Sequence, residues 1–405
     1  MSWSAKSLDE LGTVSRGRSR HRPRDAAHLY GGPYPFVQTG DVKRAGLYLT
    51  EYSQTYSDEG LAQSKLWPSG TLCITIAANI ADTSILAIDA CFPDSVIGFI
   101  PDPKKSDARF IKYLFDAVLK LQYRQVSQGA AQDNLSQGKL LALKFSVPDD
   151  VNEQIRIADF IATYDDLIDN NRRRIQLLEE SARLLYQEWF VHLRFPGHKQ
   201  VEIVDGVPEG WEESTLGSLA SVQSGYAFKS KDWLETGNPV IKIKNITGDG
   251  TVETKDCQYV DDNVAEKAQK FKLESGDFLI AMTGATVGKV GIMPKSSQHY
   301  FLNQRVGKFL FLNESASEFV FCLTSTRYFK TQIENLAGGA AQPNISGKQI
   351  ESIKVLLPSK KLLSLFSEHT RSLFEQRQLL VESNKKLAQA RDLLLPKLMS
   401  GELTV

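Results

Sequence analysis

The chain has 405 residues, 42% of them hydrophobic and 24% charged, and its formal net charge is zero. That composition excludes a disordered chain and fits two or three folded domains, and no apolar run approaches the ~20 residues that cross a bilayer. Neutrality excludes a uniformly basic nucleic-acid binder, so any DNA-binding surface must be local.

The first globule spans residues 1–150. MSWSAKSLDE has no apolar core for a signal peptide. SRGRSRHRPRD places Arg16, Arg18, Arg20, Arg22 and Arg24 at every second position. TLCITIA and SILAID are short β-branched runs bounded by Gly, Pro and Asp, which predicts strands; one helix is expected around Ala108–Tyr123. After Asp150 the period changes. Asp150 and Glu153 have capping-box spacing, and a long helix follows. Ile161, Ile168, Ile175, Ala182 and Trp189 recur every seven residues, and Ile157, Tyr164, Asn171, Leu178 and Leu185 interleave with them. This seam predicts about 50 Å of helix at 1.5 Å per residue, ended by Pro196-Gly197. Residues 151–207 therefore form a spacer helix and linker.

A second globule covers 208–358. PVIKIKNI, DFLIAM, VGKVGIM and VGKFLFL predict strands, and Ala316–Leu336 a helix. A second long helix occupies 359–405, with Phe366, Leu373, Leu380, Leu387 and Leu394 as its ladder and Pro396 as its stop. Asn171 is polar within the first seam, a residue type that fixes register at a cost in stability.

The two halves repeat. GAAQDNLS (Gly129 to Ser136, with Gln132) returns as GAAQPNIS (Gly339 to Ser346, with Gln342), 210 residues on. Trp3, Leu8 and Leu11 match Trp211, Leu216 and Leu219, and SGTLCITIA resembles SGDFLIAMT. The frame repeats while the loops diverge, as expected of one scaffold carrying two different recognition surfaces. The fold class is α+β: two similar β-rich domains, each followed by a long helix, the helices pairing as an antiparallel coiled-coil spacer about a pseudo-twofold axis. The octapeptide is assigned a structural role at the passage from sheet to helix; DNA contact by its glutamines is the alternative.

The motifs of catalysis are missing from the sequence. It has no F-x-G-x-G and no adjacent prolines, so it lacks an amino-methyltransferase signature. GATVGKV is one residue short of a phosphate loop between its glycines and reads as a turn between strands. Glu253-Thr254-Lys255 matches the E-x-K of one nuclease class without a placed acidic partner. No H-E-x-x-H or C-x-x-C occurs, so neither a metal nor a catalytic site is assigned, and four scattered cysteines fit a reducing cytoplasm.

The twin octapeptides, the segment NEQIRIADFIATYDDLIDNNRRRIQLLE and the tail LLLPKLMSGELTV resemble the specificity subunit of type I restriction–modification systems along essentially the whole chain. The family's Leu-Pro-Pro and Glu-Gln stand here as Val147-Pro148 and Glu153-Gln154 in the first repeat, and as Leu357-Pro358 and Leu363-Ser364 in the second. The resemblance implies a non-catalytic subunit whose two domains each read half of a split target in double-stranded DNA. It implies partners as well: modification subunits, two of them expected, which carry S-adenosylmethionine and methylate adenine, and restriction subunits that translocate and cleave DNA. Half-sites on one DNA face lie about 34 Å apart, within reach of arms of this length. A self-sufficient nuclease and a non-enzymatic DNA-binding regulator are the alternatives.

Base reading belongs to the diverged loops. In the first domain the candidates are Arg16, Arg18, Arg20, Arg22, Arg24, Gln38, Thr39 and Lys43. In the second they are Lys229, Lys231, Lys242, Lys244 and Asn245, with Tyr226 and Phe228 either flanking DNA or forming core.

Overall fold

The structure, a computed structural model, describes residues 2–77, 80–119, 135–248, 250–338 and 343–405. Of the octapeptides, Ser136 and Ser346 are described; Gly129, Gln132, Gly339 and Gln342 lie outside the described residues, as do residues 120–123 of the first expected helix. The chain divides into two compact units, Met1–Asn170 with Asn384–Val405, and Asn171–Ser383.

In the first unit a five-stranded sheet runs in the order Gly12–Arg16, Val96–Pro101, Leu72–Thr75, Thr83–Leu86, Tyr48–Leu49, antiparallel except for its last pair. A four-stranded sheet has the order Gln54–Tyr56, Tyr30–Phe36, Ala90–Cys91, Leu66–Trp67, with its central pair parallel. Trp3–Lys6 and Phe145–Pro148 make a separate antiparallel pair. The period-2 alternation of Leu72-Cys73-Ile74 sorts the side chains to two faces. Leu72, Ile74, Ile97 and Phe99 join a core with Phe110, Phe115 and the long helix, while Cys73 and Val96 join a second core with Trp67 and Phe92. Gly98 makes that second layer possible, since a Cβ there would lie 2.5 Å from the Trp67 ring.

The second unit repeats this topology strand for strand. Its five-stranded order is Ala220–Ser224, Val306–Phe311, Phe278–Ala281, Val290–Ile292, Gly250–Thr251, again with only the last pair parallel. Its four-stranded order is Gln258–Val260, Asn238–Ile241, Tyr300–Leu302, Lys272–Leu273, again with a parallel central pair. Glu212–Thr215 and Lys354–Leu357 match the separate pair. Ser136 and Ser346 do the same job in each unit: each caps a short helix, accepting from Lys139 N–H and Gln349 N–H respectively.

The first long helix, Val151–Tyr186, and the second, Lys360–Met399, run antiparallel where they meet in each unit. In the first unit Arg391 pairs with Asp165, and Asn384 Nδ2 donates to the Ile168 carbonyl (3.3 Å). In the second, Arg377 pairs with Glu179, and Trp189 packs on Phe366 at 5.8 Å. Among the seam positions Ile157, Ile161, Ile168, Asn171, Phe366 and Leu380 are buried. Tyr164, Ile175, Leu178, Leu185, Leu373, Leu387 and Leu394 are half-buried. The helices also complete the globules: Ile157 and Ile161 join Leu395, Leu398 and Met399 in the core of the first unit, and Ala182, Tyr186, Trp189 and Phe190 join Leu362, Leu363 and Phe366 in that of the second.

Several expected boundaries move. Pro396 does not stop the second helix, which continues to Met399. An interior proline costs about 3 kcal/mol or more by removing one N–H bond and crowding the preceding turn. Here it sits in the final turn, and burial of Leu395, Leu398 and Met399 at about 1.5–3 kcal/mol each offsets that cost. The first helix ends at Tyr186 and widens into a π-turn, Gln187–Val191, before Leu193 takes φ 56°, so Pro196 plays no part in its termination. The Ala316–Leu336 helix is two, Ser317–Ser325 and Arg327–Ala337, broken at Thr326, whose hydroxyl accepts from Phe329 N–H. At the start of the first helix the Asp150 side chain accepts from Asn152 N–H, whereas buried Glu153 pairs with Arg156 instead of closing a capping box. The PVIKIKNI strand stops at Ile241, and Ile243–Asn245 is a 3₁₀ turn.

Leu398 is fully buried in the first unit although it lies in the final turn of the second helix. Leu398→Ala is expected to destabilise the fold by about 2–5 kcal/mol, read as a fall in the thermal midpoint. An unchanged midpoint would show that the first core closes without this turn.

Candidate nucleic-acid interface

The arginine-rich stretch of the first unit leaves the end of a strand and is tied down along its length. Gly17 N–H donates to the Val96 carbonyl (2.8 Å), and Arg18 N–H to that of Phe92 (3.0 Å). Arg20 and His21 N–H both donate to Gln63 Oε1 (2.6 and 3.0 Å), and Ser64 Oγ donates to the Arg18 carbonyl (2.8 Å). Asp94 gathers two of the arginines: Arg16 bonds its carbonyl through Nε and Nη2 (2.9 and 2.7 Å), and Arg24 its carboxylate (2.9 Å). Arg22 turns back to the Ser19 and His21 carbonyls (2.9 and 2.7 Å). All five guanidinium-bearing residues are exposed. The loop is thus an ordered basic surface with fixed backbone, and its arginines differ in how firmly each is held.

Lys65 joins this surface, and no sequence pattern marks it. Its ammonium lies 3.6 Å from the Trp67 ring centroid, and burial, then the neighbouring Arg18, holds its pKa below the ordinary lysine value. The remaining first-unit candidates lie on and beside a short helix, Thr39–Arg44. Gln38 caps it; its backbone N–H donates to Asp41 and its side chain to Gln54 Oε1 (2.5 Å). Thr39 is half-buried and Lys43 exposed.

The second unit builds a comparable cluster from different residues. Lys242 is half-buried, donates to Gln258 Oε1 (2.6 Å) and sits 4.5 Å from the Trp233 ring centroid. Burial, then Lys244 and Arg305, lowers its pKa. Lys244 is exposed and pairs with Asp256 (3.0 Å). Arg305 is exposed and, like Lys65, carries no recognisable motif. Lys229 and Lys231 are exposed on and beside the turn Ser230–Asp232. Asn245 is placed differently from a DNA contact. It is 1% exposed, its amide donates to the Glu253 and Asp256 carbonyls (2.9 and 3.1 Å), and its Oδ1 accepts from Lys242 N–H (2.9 Å). It ties the loop that presents Lys242 and Lys244. Phe228 lies in a core with Val240, Val260 and Phe301, and half-buried Tyr226 packs against it.

In both units, then, a lysine rests on a tryptophan face beside the four-stranded sheet with other positive charge close by, Arg18 in the first and Lys244 and Arg305 in the second. A cation held next to cations with its ammonium on a ring face marks a site of positive potential, which an anionic backbone relieves. Among the described residues, no group of three or more His, Cys, Asp or Glu is arranged to hold a metal ion, and no helix is long and apolar enough to cross a membrane.

Comparison with known proteins places the chain. The family model for the type I restriction modification DNA specificity domain matches residues 2–180 and again 208–373. The chain belongs to that family: it is a specificity subunit of type I restriction–modification systems with two target-recognition domains. It is similar to the MjaIX specificity subunit of Methanocaldococcus jannaschii, 25% identical over 426 aligned positions covering 100% of this chain and 94% of that protein. The HindI specificity subunit of Haemophilus influenzae is 25% identical over 467 positions, covering 97% and 98%. The MjaVIII specificity subunit of M. jannaschii is 27% identical over 261 positions, and there the match spans 63% of this chain and 61% of that protein. The crystal structure of the S subunit of a type I system from M. genitalium shares the fold at TM-score 0.55 and 18% identity, covering 98% of this chain and 96% of that one.

Removing a neighbouring cation should raise a depressed lysine. Arg18→Gln is expected to move the Lys65 pKa up without restoring the ordinary lysine value, since burial is the larger cause and remains. The depressed value lies below the unfolded one, so charged Lys65 opposes folding at neutral pH, and that opposition fades as pH rises through the folded value towards the unfolded one. NMR titration of the lysine side chain reads both effects; an unmoved Lys65 would separate it from the arginine loop.

Proposed function

We propose that this chain reads a split DNA target, one half through residues 1–150 and the other through 208–358, with 151–207 and 359–405 as the spacer. The observation that supports this most directly is the pairing of one topology with two unlike cationic surfaces. The frame is conserved between the units down to its parallel strand pairs, while the cations come from an arginine loop in one and from Lys242, Lys244 and Arg305 in the other. Two readers of two different half-sites need that arrangement. The candidates for contact are Arg16, Arg18, Arg20, Arg22, Arg24, Gln38, Thr39, Lys43 and Lys65 in the first domain, and Lys229, Lys231, Lys242, Lys244 and Arg305 in the second, with Asn245 positioning the last loop.

The chain works in the cytoplasm as a non-catalytic subunit. Two modification subunits, carrying S-adenosylmethionine, methylate adenine in the target, and restriction subunits join them. Net charge by region is about +1 for 1–150, −3 for 151–207 and +2 for the remainder, so the partners supply much of the phosphate grip and the chain alone binds DNA weakly and with strong salt dependence. Docking surfaces are available on the first long helix and on the π-turn that follows it. In the second unit Leu177, Leu184 and Val191 recur every seven residues and are 66%, 51% and 57% exposed; in the first unit Phe160 and Leu167 are likewise seven apart and exposed. Apolar side chains repeated along one exposed helix face mark a contact with another protein.

The decisive experiment is a genome-wide map of N6-methyladenine in the host with and without this gene. A motif of two short half-sites around an unspecified gap, lost with the gene, is the expected result; an unchanged map with the modification subunit present would overturn the reading. Exchanging residues 1–150 for those of a relative should then change one half-site and leave the other.

Docking is tested separately. Leu177→Asp with Leu184→Asp is expected to abolish co-purification of the modification subunit while the thermal midpoint stays within a few degrees, because neither side chain contributes to the core. Full co-purification would place the docking surface elsewhere.

A further inference from the structure

The ion pairs between the long helices have a one-sided layout. In each unit the acid belongs to the first helix, Asp165 or Glu179, and the cation to the second, Arg391 or Arg377. Each pair has one buried member, Arg377 in one and Asp165 in the other. Arg377 is 1% exposed, its guanidinium also bonds the Gly250 carbonyl and Thr251 Oγ1 (2.6 and 3.2 Å), and it lies 5.8 Å from the Phe321 ring centroid. Asp165 is 7% exposed and also accepts from the Tyr113 hydroxyl (2.7 Å).

The burial pattern gives the equivalence between the helices. Buried positions coincide at an offset of 209: Ile157 with Phe366, Ile161 with Thr370, Asn171 with Leu380, Trp189 with Leu398. At that offset the position equivalent to Arg391 is Ala182, and the one equivalent to Arg377 is Ile168. Were the first helix to pair with a second copy of itself in the same register, Asp165 would face Ala182 and Glu179 would face Ile168. Buried Asp165 would lose Arg391, and half-buried Glu179 would lose Arg377. Arg183, next to Ala182, is already paired with Glu180 on its own helix. Self-pairing of the second helix fails in the opposite sense: buried Arg377 would face Ala388, and Arg391 would face Phe374 with only Asp392 of its own helix left to it. A buried charge deprived of its partner is strongly destabilising, whereas the complete pair contributes little net stability against an apolar replacement. Such pairs therefore act chiefly on the choice of partner.

We infer that these two ion pairs make helix pairing heterotypic: the first repeat accepts a second repeat, its own or another carrying arginines at the same two places, and rejects a further copy of itself. The surface thus selects a partner by chemistry, an acidic seam answered by an arginine seam. It keeps two copies of the subunit in one cell from assembling through like helices.

The test uses the full chain in two charge-matched variants with different affinity tags. Arg391→Asp leaves acid on both helices at the first-unit pair, and Asp165→Arg leaves arginine on both. Each alone is expected to lower the thermal midpoint or aggregate. Refolded together, the variants can pair the unchanged first helix of one with the unchanged second helix of the other, and the two altered helices with each other. The expected product is a dimer carrying both tags, at least about tenfold above the amount from a wild-type mixture, seen by tandem capture and light scattering. If the mixture behaves as the sum of the two variants, or if either variant alone is monomeric with the wild-type midpoint, the charges do not select the partner and the inference falls. Asp165→Asn guards against a fold defect caused only by losing the Tyr113 bond: it removes the charge but keeps an acceptor for that hydroxyl, and it should give no mixed dimer with Arg391→Asp.

Discussion

Everything in this molecule depends on where two long apolar stripes are buried. A helix of 36 residues and one of 40 each carry an apolar stripe that runs through both units. The fold resolves this by giving each core a piece of both helices. The first unit is closed by Leu395, Leu398 and Met399 from the far end of the chain, and the second by Ala182, Tyr186, Trp189 and Phe190 from the helix that begins in the first. Neither repeat is a self-contained domain in the energetic sense. With each buried aliphatic or aromatic side chain contributing about 1.5–3 kcal/mol, these few residues are comparable in weight to the whole net stability of an ordinary domain.

That sharing divides the chain into two kinds of sequence. Positions that pack the sheets, cap the helices or lie in the seam are constrained by volume and charge, and the repeat preserves such features, as in Ser136 and Ser346 at equivalent caps. The loops beyond the strand ends differ between the two units. The arginine loop hangs on Gln63, Ser64 and Asp94, and the second unit offers quite different residues from the same framework. A scaffold of this kind tolerates changes in its reading surfaces because little of its stability is stored there.

The sequence carried the repeat, the strand-rich character of each half and the length of the helices, because all three are periodic and periodicity survives without coordinates. It did not carry the places where tertiary packing overrides a local rule. Pro396 reads as a stop and is not one, since three buried neighbours hold the last turn in place. Thr326 breaks a helix that composition would continue. At the candidate interface the arginines stand out by spacing alone, whereas Lys65 and Arg305 are single cations among 48, visible only once the fold brings them beside Arg18 and Lys242. Asn245 has the opposite history: its residue type suits base contact, but the turn that ends the strand folds it inward.

The sharing of cores also has a consequence in time. The first globule and the start of its helix leave the ribosome early, yet the residues that complete their core, Leu395 to Met399, are synthesised more than 200 positions later. At about 5–20 residues per second this leaves an apolar face uncovered for roughly ten to forty seconds. During that interval the nascent chain is exposed to aggregation and to any chaperone that recognises bare hydrophobic surface. Premature termination close to the end would be worse than its length suggests, since losing the last dozen residues reopens the part of the protein that was made first.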